Sequence, residues 1–175
     1  DDFDERIVNF LIDVIKKEHH VDVRKDFTAF QRVKEAAEQA KKELSTSENS
    51  YITLPYLMQW RGDIINFEYT LSRAKFNELT RDLVERTEIP VLNALKDAGI
   101  STSELSKVLL VGGSTRIPAV QEKVRELTGI IPSKNINPDE CVAQGAAIQG
   151  DILSDGSIAL YNKGKSILLL DVTPL

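Results

Sequence analysis

Apolar residues recur every three or four positions early in the chain, a spacing that is typical of amphipathic helices. One helix is predicted from the acidic start of the chain to about Glu18. A second, longer helix is predicted from about Lys25 to Leu44. The apolar stripe of the first helix consists of Ile7, Val8, Leu11, Ile12 and Ile15.

The hydrophobic period then shortens to two residues, which is typical of strands. Two β-type runs, Tyr51–Leu57 and Asp63–Tyr69, are joined by Gln59–Gly62 and predict an antiparallel hairpin. Ser72 is placed to cap a following helix, and Pro90 is expected to break that helix near Glu88.

A strand, a glycine turn and a helix are predicted in the second half of the chain. The apolar run Val108–Val111 reads as a buried strand, and Gly112 and Gly113 follow it directly. Glycines at such a turn let the backbone come close to a ligand because no Cβ intervenes. Arg116 adds a planar cation that can stack on a flat ring. This chemistry suits a nucleotide.

The spacing of this turn leaves an alternative open. It matches neither the Walker A pattern nor G-x-G-x-x-G, the two common phosphate-binding sequences. A tight strand-to-helix connection, with Ser114 or Thr115 as the helix N-cap, accounts for the same residues.

Four polar residues of the second predicted helix share one face, at the rim of its apolar stripe. They are Glu38, Lys41, Lys42 and Ser45. A rim position can line a cleft, but a solvated charged face explains the same spacing.

A further helix start is predicted at Asn137–Glu140, where proline and acidic residues suit the positive end of a helix. The small residues that follow predict close packing against another backbone. They are Ala143, Gly145, Ala146 and Ala147.

Composition narrows the function classes. The 175 residues are 42% hydrophobic and 28% charged, and the formal net charge of −5 argues against general nucleic-acid binding. Cys141 is the only cysteine, so no internal disulfide forms, which fits a reducing compartment. No run reaches the length of a membrane span, and no residue spacing indicates a metal site. The start on Asp1 leads us to expect a fragment.

Several short residue strings of the chain also resemble those of a known protein family. Leu110–Pro118 resembles the second nucleotide-contacting loop of the seventy-kilodalton heat-shock chaperones, the DnaK family, and the bacterial or organellar members are the most similar. Other strings resemble family landmarks in family order: Asp1–Asp4, Gln31–Arg32, Glu35–Glu38, Ala40–Lys41, Ser72–Phe76, Asn137–Glu140, Gly145–Ala147 and Leu168–Leu175.

The resemblance implies an α/β fold, an actin-like ATPase (ribonuclease H-like) lobe with a smaller helix-plus-β-hairpin subdomain. Residues 1–24 and 88–160 would form the α/β base, and residues 25–87 the smaller subdomain. Residues 161–175 would be the interdomain linker and the start of a substrate-binding domain. The protein would be an ATP-dependent chaperone in the cytoplasm or an organelle.

The resemblance also implies that this chain holds the adenosine end of ATP or ADP, with magnesium in the complete domain. The family's phosphate loops and catalytic lysine have no counterpart in the sequence, so we expect no catalytic residue here and no ATPase activity from this chain alone. The implied nucleotide-binding residues are Glu38, Lys41, Lys42, Ser45, Gly112, Gly113, Ser114, Thr115, Arg116, Ile117 and Asp139.

The partners implied by the resemblance are a GrpE-type nucleotide-exchange factor at the small subdomain, a J-domain co-chaperone and client peptides. Two alternatives stay open. One is another actin-like ATPase, such as a sugar kinase or a filament protein, and the other is a non-enzymatic interaction module that keeps the fold.

Overall fold

The computed structural model describes residues 2–133 and 137–153, with side chains described through residue 151. The predicted segment 161–175 lies outside this part of the chain. In chain order, the helices and strands are α1 (Asp2–His19), α2 (Phe27–Leu44), β1 (Asn49–Trp60), β2 (Asp63–Ser72), α3 (Arg73–Arg86), α4 (Glu88–Ala98), α5 (Pro118–Thr128) and α6 (Cys141–Leu153).

The two long helices form where the apolar period predicts them. Acidic residues in the first turn of α1 and basic residues in its last turn complement the helix dipole. The side chain of Asp26 caps α2 by accepting a hydrogen bond from the Ala29 N–H at 2.9 Å. Both predicted helices are therefore confirmed.

The predicted hairpin is also confirmed. β1 and β2 pair antiparallel from Asn49↔Ser72 to Trp60↔Asp63, and a bulge shifts the register between Leu54 and Met58. Arg61 and Gly62 form the turn, both with positive φ. The alternation of buried and exposed residues places Ile52, Leu54, Ile65 and Phe67 on the inner face.

Ser72 caps α3 as predicted, accepting a hydrogen bond from the Lys75 N–H at 3.2 Å. The helix stops at Arg86, and α4 resumes after Thr87. This break agrees with Pro90, which lacks a donor for the preceding turn. Gly99 closes α4 in the left-handed conformation, with φ +66°.

The hydrophobic core combines side chains from the first four elements and the helix that follows them with one side chain from later in the chain. Its largest fully buried side chains come from α1, α2, the hairpin and α3, and Ile117 adds to them from the segment before α5. They include Ile7, Leu11, Ile15, Leu44, Phe67, Leu71, Phe76 and Ile117. Within the described ranges, no helix is long and apolar enough to cross a membrane.

The prediction of a buried strand over Val108–Val111 is wrong. Leu109 makes one isolated parallel bridge to Ser133, and the side chains of Leu109 and Val111 are 51% and 43% exposed. A strand is buried only when neighbouring strands pair with its edges and other elements cover its faces. In the described part of the chain, the run has this single bridge in place of a strand ladder, and Leu109 and Val111 stay exposed.

The prediction of close packing on α6 is wrong as well. The side chains of Val142 and Ile148 are 72% and 42% exposed. A Cβ added at Gly145 would meet no atom within 4 Å. Small residues permit a close neighbour but do not supply one, and none packs against Gly145 among the residues described.

The carboxylate of Glu43 connects α2 to β1. It accepts hydrogen bonds from the Gln39 side chain at 2.9 Å and from the hydroxyl of buried Ser50 at 2.7 Å. These two bonds lower the pKa of Glu43 below its ordinary value. A lowered carboxyl pKa stabilises the fold above the ordinary glutamate pKa, and the benefit disappears as the pH falls through the folded value.

We therefore expect Glu43→Gln to lower the free energy of unfolding at neutral pH by about 0.5 to 1 kcal/mol. The difference from the wild type should shrink on going from about pH 7 to about pH 3. Urea unfolding at each pH measures it. Glu35→Gln, an exposed position on the same helix, is the control. A difference that is constant with pH would contradict this assignment.

Candidate functional site

The glycine turn is a compact, internally bonded loop. Gly112 adopts φ +91°, and residues Gly113–Arg116 form a 3-10 turn. The hydroxyl of Thr115 donates to the Gly112 carbonyl at 2.7 Å. Neither Ser114 nor Thr115 is the N-cap of α5. That position belongs to Ile117, which makes no side-chain cap.

A second turn, Asn137–Glu140, packs directly against this loop. The Gly112 N–H donates to the Pro138 carbonyl at 2.9 Å. Arg116 donates to Asp139 Oδ2 from Nε at 3.0 Å and from Nη2 at 2.5 Å. Nη2 also donates to Asn137 Oδ1 at 2.9 Å. Asp139 thus lies beside the Gly113 loop.

A cleft of about 750 Å³ lies between the end of α2 and this loop. Its volume is within the range of small-molecule pockets, roughly 300–1,000 Å³. Of the predicted site residues, Ser45, Thr115 and Arg116 line it. The other lining residues are Thr46, Leu110, Pro118, Gln121, Glu122, Arg125, Ile131, Pro132, Ser133, Asn137 and Pro138.

Lys41 points from α2 toward α1. Its ammonium lies 2.9 Å from Asp4, and the two side chains are only 14% and 18% exposed. This largely buried ion pair joins α2 to α1, and removing one partner would leave the other charge buried without its counter-ion. Ser45, one turn further along α2, donates from its hydroxyl to the Lys41 carbonyl at 3.3 Å.

Glu38 and Lys42 form an exposed ion pair at 2.6 Å on α2. The hydrogen bond from Lys42 lowers the pKa of the Glu38 carboxyl below its ordinary value. Glu38 lines a second cleft, of about 560 Å³, between α1 and α2. Asp4, Phe30 and Lys34 are among its other walls.

The structure therefore brings some predicted residues together and separates others. Ser45 lies across the first cleft from Thr115 and Arg116. At the glycine loop, Gly113 lies close to Asp139, and Gly112 bonds to the neighbouring Pro138. Glu38 borders the second cleft instead. Ile117 is 1% exposed and packs in the hydrophobic core, so its side chain faces away from the cleft.

Sequence reasoning missed six polar residues that line the first cleft: Thr46, Gln121, Glu122, Arg125, Ser133 and Asn137. Thr46 follows Ser45 at the end of α2, Gln121 donates to the Thr115 carbonyl at 2.9 Å, and Asn137 binds Arg116. Asn137 carried a usable signal, because it opens the Asn-Pro-Asp-Glu turn whose Asp139 was already assigned to the site. Gln121 and Thr46 carried none, since both look like ordinary helix-end residues.

A protein-family model described as Hsp70 protein matches residues 1–175. Together with the glycine loop, this match defines the class: a chaperone-type ATPase with the actin-like ATPase fold. The chain belongs to the Hsp70 family. Members of this family generally bind ATP or ADP with magnesium, and they bind co-chaperones.

The residues around the first cleft fit the adenosine end of such a nucleotide. A guanidinium face suits a flat base, and the hydroxyls of Ser45, Thr46 and Thr115 offer hydrogen bonds to ring and ribose atoms. Among the described residues, no cluster of His, Cys, Asp or Glu could hold a metal ion.

Proposed function

We propose that this chain supplies the adenosine-binding side of the nucleotide cleft of a DnaK-type, ATP-driven chaperone. The observation that carries the proposal is the first cleft, in which Ser45 from α2 faces Arg116 from the glycine loop. Two segments some seventy residues apart in the sequence thereby border one open cleft whose volume is in the small-molecule range.

Arg116 is suited to the base because its donor edge is already occupied. Nε and Nη2 are bonded to Asp139 and Asn137 along one edge of the guanidinium, so these bonds do not cover its flat faces. With a carboxylate at 2.5 Å, Arg116 is also a poorer receptor for a phosphate than a free arginine would be. This favours adenosine over the phosphate end of the ligand.

Glu38, Lys41 and Lys42 belong to the proposal through their face of α2. Lys41 lies one helical turn before Ser45, which borders the first cleft, and Glu38, about one turn further back, borders the second. A ribose reaching along α2 would meet Lys41 first and then Glu38. Binding there would compete with the Lys41–Asp4 and Glu38–Lys42 ion pairs.

ATP supplies the phosphoanhydride whose hydrolysis drives chaperone cycles. The groups that act on its phosphates have no counterpart among these 175 residues. We therefore propose that the chain binds and orients adenosine, and that it has no ATPase activity alone. Residues 1–24 with 88–160 and residues 25–87 would form the two subdomains.

The proposed partners follow from the same resemblance. A GrpE-type exchange factor would bind the small subdomain, and a J-domain co-chaperone and client peptides would act through the remaining domains. The likeness to bacterial and organellar members supports a cytoplasmic or organellar location. Among residues 2–133 and 137–153, no single contact favours the alternatives of a sugar kinase, a filament protein or an interaction module.

Photolabelling tests the proposal. An azido-adenine nucleotide should label the complete nucleotide-binding domain on peptides that contain residues 112–118 or 41–46. Excess ATP should abolish the labelling, and mass spectrometry of the digest identifies the peptides. Labelling of the β1–β2 hairpin instead, or labelling that excess ATP does not reduce, would contradict the proposed site and favour an interaction module.

A further inference from the structure

Asn137 makes two hydrogen bonds with one oxygen atom. Its Oδ1 accepts from Arg116 Nη2 at 2.9 Å and from the backbone N–H of Asp139 at 3.2 Å. The first bond holds the guanidinium, and the second holds the turn that carries Asp139. The Asn137 side-chain amide therefore helps to position both the Arg116 guanidinium and the Asp139 carboxylate that pairs with it.

Gly113 makes room for this arrangement. A Cβ added at Gly113 would lie 3.3 Å from Asp139 Oδ1, closer than most real Cβ contacts. The other loop glycine, Gly112, has open space where a Cβ would be, although its φ of +91° disfavours any side chain. The absence of a Cβ at Gly113 thus allows the Asp139 carboxylate to lie close to the loop.

The loop and the turn are also joined through the backbone. The Gly112 N–H donates to the Pro138 carbonyl at 2.9 Å, and the Asn137 carbonyl accepts from the Cys141 N–H at 3.1 Å at the start of α6. The turn is therefore anchored at both ends, so a side chain that it holds has a defined position.

We propose that Asn137 is a positioning residue that fixes the plane of the Arg116 guanidinium for base stacking. The inference rests on the function proposed above and adds a residue to it. Asn137 acts through Arg116: with Asp139 it bonds one edge of the guanidinium in its plane, which restrains rotation without covering the flat faces. The side-chain entropy lost when a base stacks on Arg116 is then smaller than it would be for a mobile side chain.

Substitution at Asn137 separates its two bonds. Asn137→Ser keeps an oxygen that can accept from the Asp139 N–H, as serine does in turns, but the shorter side chain does not reach Arg116. Asn137→Asp keeps both acceptors. Rotation of the Arg116 guanidinium about its Nε–Cζ bond, measured by NMR on the 175-residue chain, is the first readout. The second is adenine-nucleotide affinity in the complete nucleotide-binding domain.

We expect Asn137→Ser to speed guanidinium rotation and to weaken adenine-nucleotide binding by about three- to tenfold. We expect Asn137→Asp to keep both the rotation rate and the affinity close to their wild-type values. Unchanged rotation in Asn137→Ser would overturn the inference, as would faster rotation with unchanged affinity. The rotation readout needs no nucleotide. Its failure is therefore distinct from failure of the wild-type domain to bind adenine nucleotides, which would contradict the proposed function.

Discussion

Phe67→Ala should destabilise the chain by about 3–5 kcal/mol, a large part of the total stability of a domain this size. Phe67 lies on the inner face of β2, is 1% exposed and stacks with the ring of Tyr69 at a centroid distance of 6.3 Å. Truncation removes its burial energy and leaves a cavity between the hairpin and the helices. Urea unfolding followed by circular dichroism measures the loss.

Tyr51→Ala provides the matched control for this prediction. Tyr51 is an aromatic residue of the same hairpin, but it lies on the outer face and is 76% exposed. Its removal should change the free energy of unfolding by no more than about 0.5 kcal/mol. Equal losses at the two positions would mean that the hairpin does not pack against the helices through its inner face.

Arg116→Ala should weaken adenine-nucleotide binding to the complete nucleotide-binding domain by roughly 3- to 30-fold. The substitution removes the planar cation from the wall of the first cleft. It also leaves Asp139 and Asn137 without their shared donor. Titration with a fluorescent adenine nucleotide measures the affinity, and thermal unfolding without ligand reports any separate effect on stability.

Two further substitutions define what Arg116 contributes. Arg116→Lys keeps the charge but not the plane, so its affinity should stay close to that of Arg116→Ala if stacking is the cause. Arg81→Ala removes an exposed arginine from α3 and should leave the affinity unchanged. Full binding by Arg116→Lys would show that charge suffices, and the assignment of Arg116 to the base would then fail.

The local elements were predictable because their signals are local. Helix caps such as Ser72 and helix ends such as Gly99 act within one turn, and the alternation along the hairpin needs only a polar and an apolar side. The run Val108–Val111 was not predictable in the same way. Its burial depends on strands and helices that a string of four apolar residues does not contain.

The candidate site likewise has features that the sequence could predict and features that it could not. The sequence alone indicated the glycine loop, its arginine and the polar edge of α2, because a string of this kind resembles one family over the whole chain. It also placed Ile117 in the site, whereas the tertiary structure buries that side chain in the core.

The sequence by itself determined where the chain turns, which faces of its helices are apolar, and the family to which it belongs. Only the tertiary structure decided the partners of the charges: Lys41 with Asp4, 37 residues away, and Arg116 with Asp139, 23 residues away. The reason is physical. Backbone periodicity and capping depend on neighbours within a turn, whereas an ion pair depends on how distant segments are packed.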